Sequence, residues 1–170
     1  MNTRKTTLLL CGLLLMIVPK ASAQEWRKIV PLKSTRADVE QLLGPNDQAS
    51  LAIDYELTDG TVSIMYSSGP CSKDRKGGWD VAEGVVTGFT FRSHRKQKET
   101  DLKLDPKKFR RTVDSHTGRH IYYINDEDGI MYQIQQGLVD NIEYFPPKRY
   151  AYLYCGDPGD ENFQRLEVER

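Results

Sequence analysis

The sequence predicts an α+β fold made of two tandem units, each a short helix followed by an antiparallel sheet, with helices covering one sheet face. Three observations predict it. Apolar residues alternate with polar ones in several short runs. Asp-Gly pairs separate those runs. A capped, helix-like segment leads each half of the chain. The units are expected over about 30–92 and 101–155, within a single domain spanning 24–155.

The first helix is expected to start at Thr35, a natural N-cap, with Asp38 three residues on as a variant of the capping box. Val39, Leu42 and Leu43 supply an apolar stripe, and Gly44-Pro45 ends it. Two strands follow. Ile53, Tyr55 and Leu57 share one face, the turn is Thr58-Asp59-Gly60, and Val62, Ile64 and Tyr66 return on the same buried side. Phe89 and Phe91 extend that layer. In the second half Asp105 would cap a helix with Pro106 in its first position and Phe109 and Val113 facing inward. Ile121 and Tyr123 then pair, through Asn125–Gly129, with Ile130, Tyr132 and Ile134, and Leu138, Ile142 and Tyr144 follow. A last strand is expected from Tyr150 to Cys155, after Pro146-Pro147.

Laid on itself, the chain repeats this order. The segment 32–39 matches 102–109 at an offset of 70, and Tyr55 through Gly60 matches Tyr123 through Gly129 at 68 to 69. Residues 84–91 match 137–144 at an offset of 53, so the first copy holds about 15 extra residues between its second and third strands.

Residues 1–23 read as a cleavable signal peptide. Arg4 and Lys5 form a positive start, Leu8 to Val18 an apolar core, and Ala21-Ser22-Ala23 a small-residue cleavage site. That core is 11 residues long, against the roughly 20 that a spanning helix needs, so no stable membrane insertion is expected after cleavage. Removing 23 of the 170 residues leaves 147, with 21 Lys and Arg against 24 Asp and Glu and a net charge of −3. Such a balance argues against nucleic acid, whose partners carry a basic footprint. The expected location is periplasmic or secreted, with a flexible tail over 156–170.

The mature chain keeps two cysteines, Cys71 and Cys155. An even count in an exported chain favours a disulfide between them.

The run from Ser34 to Pro45 combines a Thr cap, an acidic third position, Val39, a Leu pair, Gly44 and Pro45. It resembles the opening helix of the small outer-membrane lipoprotein domain of the β-barrel assembly machinery. Two tandem copies of such a unit resemble the β-lactamase inhibitor protein architecture. The resemblance implies a binding module rather than a catalyst.

The search for chemistry returns little. His116 and His120 are four apart but straddle Gly118, and no cysteine cluster has zinc spacing, so neither metal nor cofactor is expected. Asp126-Glu127-Asp128-Gly129 suits a hairpin turn better than a calcium loop. Arg92, His94, Arg95, Lys96 and Lys98, with Lys107, Lys108, Arg110 and Arg111, form a basic run read as a solvated face or as a contact to an anionic surface. For binding, Trp79 on a Gly-rich loop and the period-2 tyrosines Tyr150, Tyr152 and Tyr154 stand out. The leading expectation is therefore a non-enzymatic binding or inhibitory module for an envelope or extracellular protein. The alternatives are a small secreted hydrolase using Cys71 with His116 or His120, and a structural envelope component.

Overall fold

The structure, a computed structural model, describes residues 25–72, 77–114 and 118–156. It corrects the expected architecture. Instead of two helix-plus-sheet units, seven strands form one antiparallel sheet, and among the described residues there is one α-helix. The strands are β1 (Ala52–Leu57), β2 (Gly60–Tyr66), β3 (Val86–Ser93), β4 (Arg110–Val113), β5 (His120–Asn125), β6 (Ile130–Gln135) and β7 (Leu138–Tyr144). Their order across the sheet is β1-β2-β3-β7-β6-β5-β4. Two meanders thus meet where β3 and β7 run side by side, with Phe89 opposite Tyr144 and Phe91 opposite Ile142.

The helix α1 (Arg36–Leu43) forms where its signals lie. The Asp38 amide donates to the Thr35 hydroxyl oxygen at 3.3 Å, and the Thr35 amide donates to the Asp38 carboxylate at 2.8 Å. These two bonds satisfy donors that a helix start would otherwise leave orphaned. They also hold the Asp38 carboxyl below its usual range, chiefly through the Thr35 amide. Gly44 closes the helix at φ 101°, its amide donating to the Glu40 carbonyl. Only Val39 of α1 is fully buried, so the helix contributes a narrow stripe.

The second helix does not form. Asp105 caps a single turn, receiving the Lys107 amide on its carboxylate and the Lys108 amide on its carbonyl. The chain then extends into β4, whose four residues pair with β5. The composition explains this outcome. Lys107, Lys108, Arg110 and Arg111 would crowd like charges onto two helical turns near the positive end of the helix dipole. Thr112 and Val113 are β-branched and prefer a strand.

One sheet face carries the core. Phe89, Ile53, Ile64, Val62 and Val86 are fully buried there together with Ile29 and Val39. Phe89 stacks on Tyr144 with ring centroids 4.5 Å apart, and Trp26 closes over Phe89 and Phe91 at 5.8 and 5.1 Å. Over the second meander the cover is the connection between β3 and β4. Its Glu99 carboxylate accepts the Tyr123 hydroxyl at 2.6 Å, and Phe109 lies 5.8 Å from Tyr132. Asp54, Ser63 and Thr90, aligned across β1, β2 and β3, belong to the opposite face, polar over the first meander, while Met131 and Ile124 on that face of the second are buried.

The expected strand over 150–155 is also corrected. Lys148–Leu153 form a 3-10 helix. Pro146 and Pro147 are buried and have no amide hydrogen to give a sheet. Pro147 instead accepts the Tyr150 amide at 2.8 Å and starts the turn. Gly129, at φ 71°, is needed beneath this segment: a Cβ there would collide with the Phe145 carbonyl oxygen.

Two outcomes follow. Phe89→Ala removes the most enclosed ring of the core and should cost about 3–5 kcal/mol, read as a lower urea midpoint with an unchanged slope; a loss below 1 kcal/mol would show that the core does not centre there. Burial raises the Tyr144 hydroxyl from 10.0 to about 12, with Tyr132 adding to it. A raised folded-state value means the stabilising contribution is complete below pH about 10 and is lost as pH climbs through about 12. Tyr144→Phe should therefore flatten the loss of thermal stability between those values relative to the parent chain.

Candidate functional site

The segment before β3 and the segment after β7 leave the sheet at the same end, because those strands are antiparallel. They are joined there. Cys71 and Cys155 form a disulfide with their Cα atoms 5.6 Å apart, as the cysteine count predicts. The bond closes a span of 84 residues, which by chain entropy stabilises by about 4–5 kcal/mol. Backbone bonds reinforce it: the Asp80 amide donates to Leu153 and the Cys155 amide to Gly78. The Cys71 amide also donates to the Asp80 carboxylate at 3.0 Å.

This clasp positions the aromatic residues singled out in the sequence, but not as one stripe. Trp79 and Tyr154 bridge through their backbones and meet edge to face at 5.3 Å. Both rings are half-buried, so much of their area is spent on each other. Tyr152 stands out with 77% of its surface exposed. Tyr150 is half-buried under the Arg149 guanidinium at 5.1 Å. The 3-10 geometry, unlike a strand, splits the three tyrosines among different directions. Beside Trp79 lies a hollow of about 110 Å³ lined by Tyr66, Ser67, Gly78 and Thr87. Met65, 44% exposed, precedes Tyr66 and reaches across β3 at Gly88.

The histidines are dispersed. His120 Nδ1 lies 3.6 Å from the Asp114 carboxylate, and His94 is exposed beyond β3. His116 lies outside the described residues, as do the signal segment 1–23 and the tail beyond Gly156. The thiolate that a Cys71 hydrolase requires is tied into the bond with Cys155. Among the described residues no group of three His, Cys, Asp or Glu could hold a metal, and no helix is long and apolar enough to cross a membrane. The bond itself is of the kind that persists in oxidising compartments.

A second concavity, of about 230 Å³, lies beside β4. The turn after Asp105 brings Lys107 and Lys108, β4 brings Arg110, the β5–β6 turn brings Asp126 and Glu127, and the 3-10 helix brings Lys148. Burial raises the Asp126 carboxyl above its usual range, opposed chiefly by Arg110, whose guanidinium is 3.4 Å away. One carboxylate oxygen of Asp126 is buried without a partner. The sequence marks Lys107, Lys108 and Arg110 as part of a basic run; nothing local marks Asp126 or Lys148 as their neighbours.

No protein-family model matches this chain, and no curated protein matches it in sequence. Among solved structures it is similar to a DUF4309 family protein (YjgB) from Bacillus subtilis, at 13% identity over 72% of this chain and 84% of that one, with a TM-score of 0.46.

Opening the clasp tests its weight. Reduction, or Cys71→Ala with Cys155→Ala, should lower stability by about 4–5 kcal/mol at most, measured by urea unfolding with and without reductant. An unchanged midpoint would show that the bond constrains little.

Proposed function

We propose that this chain is an exported, non-enzymatic binding or inhibitory module acting on an envelope or extracellular protein. The observation that carries the reading is the sulfur-clasped corner, where Trp79 and Tyr154 pack edge to face and Tyr152, two residues before Tyr154, is exposed. Large aromatic side chains are the residues that most often dominate binding energy at interfaces. A corner fixed by a covalent bond and two backbone hydrogen bonds loses little freedom when a partner docks. Met65 and the hollow beside Trp79 enlarge the surface available to such a partner.

The export half of the reading draws on the three-part order of residues 1–23 and on the disulfide, which suits an oxidising compartment. The same bond tells against the hydrolase alternative, since a bridged sulfur is no nucleophile. It is indifferent to a structural envelope role, which differs from a regulated module in the permanence of the complex rather than in the surface used.

Site-specific photocrosslinking in the native envelope tests the assignment. A crosslinking phenylalanine analogue in place of Tyr152 should yield one discrete protein adduct, and the same analogue in place of Glu56, at the far end of β1, should not. With the adduct's partner purified, Trp79→Ala combined with Tyr152→Ala should weaken binding by about 30-fold or more, the effect of a hot spot worth roughly 2 kcal/mol. Identical adducts from both positions, or none from Tyr152, would remove this surface from consideration.

A further inference from the structure

We propose that the cleft beside β4 binds a phosphate-bearing group, either a phosphomonoester or a phosphodiester. It is separate from the aromatic corner and stands or falls without it.

Lys107, Lys108 and Arg110 belong to one basic run, and Lys148 comes from the distant 3-10 helix, in a chain with 24 Lys and Arg against 24 Asp and Glu. The fold brings Lys148 to that run. Among the described residues, none of the three lysines is in an ion pair. The cleft holds these four cations against two carboxylates, Asp126 and Glu127, so a formal charge of +2 remains. Cations gathered along a concave surface attract and concentrate an anion.

The cleft's donors favour phosphate over carboxylate. Bidentate recognition of a carboxylate calls for a free planar guanidinium fork. The fork of Arg110 is already engaged: one nitrogen donates to the Thr112 hydroxyl at 3.0 Å and the other to Asp126 at 3.4 Å. What remains free are ammonium groups on flexible stems, approaching from different segments. These suit a tetrahedral anion with oxygens pointing several ways.

Size and lining limit what the cleft can hold. A volume of about 230 Å³ falls below the roughly 300–1,000 Å³ of sites that enclose a whole small molecule. The cleft therefore admits a head group, with the rest of the ligand outside. Phe109 and Ile124 supply an apolar wall for the esterified carbon. Asp126, across from the lysines, is a competitor for their charge, so neutralising it strengthens the site instead of disabling it.

Titration of the mature chain with glycerol phosphate at low ionic strength, followed by amide chemical shifts, tests the site. Saturable shifts at 107–110, 124–127 and 148 are expected, with weaker binding as salt rises. Lys148→Ala should weaken affinity about 2- to 5-fold, the range for one exposed charge pair, and adding Lys107→Ala with Lys108→Ala should bring the loss to about tenfold or more. Asp126→Asn should tighten binding, a change of sign that damage to the fold would not produce; Lys33→Ala, away from the cleft, should leave it unchanged. Sedimentation with phosphatidylglycerol vesicles, against phosphatidylcholine vesicles, separates the two sources of the group: retention on vesicles without a response to glycerol phosphate assigns a lipid head group, and the reverse a soluble ester. Acetate binding as tightly as glycerol phosphate, no tightening with Asp126→Asn, or no response to either phosphate source overturns the proposal.

Discussion

The pairing of β3 with β7 governs the rest of the molecule. Only three residues of each strand face each other, Phe89 to Phe91 against Tyr144 to Ile142, yet this contact decides whether the chain makes two small sheets or one. A meander of three or four strands is stable only with its apolar face covered. Joined, the two share a continuous hydrophobic layer that runs from Ile53 on the first edge through Phe89 and Tyr144 to Ile130 and Tyr132. The stacking of Phe89 on Tyr144 across the seam makes it a packing contact as well as a hydrogen-bonded one.

The seam also builds the surfaces. Because β3 and β7 are antiparallel, the chain arriving at β3 and the chain leaving β7 lie at the same end of the sheet. That placement, not the spacing of the cysteines in sequence, is what lets Cys71 meet Cys155. On its way there, the stretch after β7 passes the β5–β6 turn. The Phe145 amide donates to Gly129 and the Lys148 amide to Asp126, which delivers Lys148 to the cationic cleft. Four residues after Lys148 Tyr152 is presented to solvent, and six after it Tyr154 reaches Trp79. One strap over 145–155 thus supplies Lys148 to the cationic cleft and Tyr154 to the contact with Trp79, anchored at its start by Gly129 and at its end by sulfur.

The strands were legible in the sequence because the signals for them are local and redundant. Alternation in 53–57, 62–66 and 130–134 and the Asp-Gly turns agree with one another, and the helix at Thr35 has cap, stripe and stop together. The second helix had a cap and a thin stripe, Phe109 and Val113, but no stop. Asp105 and Pro106 start a turn whichever way the chain continues, and the cations and β-branched residues that follow decide against a helix. At 150–155 the tyrosine alternation is compatible with a strand, but both sides of β3 and β7 were already occupied and the preceding prolines favour a turn. The disulfide was legible from a count of two. The cleft was not, because Lys148 and Asp126 are brought to Arg110 by the path of the strap, and no window of sequence contains that path.

The two halves of the sheet are unequally covered, and that bears on where recognition can sit. Of the fully buried core cluster, ten residues belong to the part of the chain before residue 92 and two, Ile130 and Tyr144, to the part after it. The second meander is covered instead by an irregular connection, stitched to the start of β7 by the Val139 amide on the Gln97 carbonyl and the Glu99 amide on Gly137. Those bonds satisfy its backbone, as a covering loop requires, but they add little apolar burial. At the outer edge β4 has no fully buried residue. Elements with few buried contacts open most readily, and an outer strand with a free edge needs charge to keep other chains from pairing with it. Arg110 and Arg111 meet that need on β4, and it is the same need, met with cations in a place the core does not fill, that leaves a positively charged cleft available to a ligand.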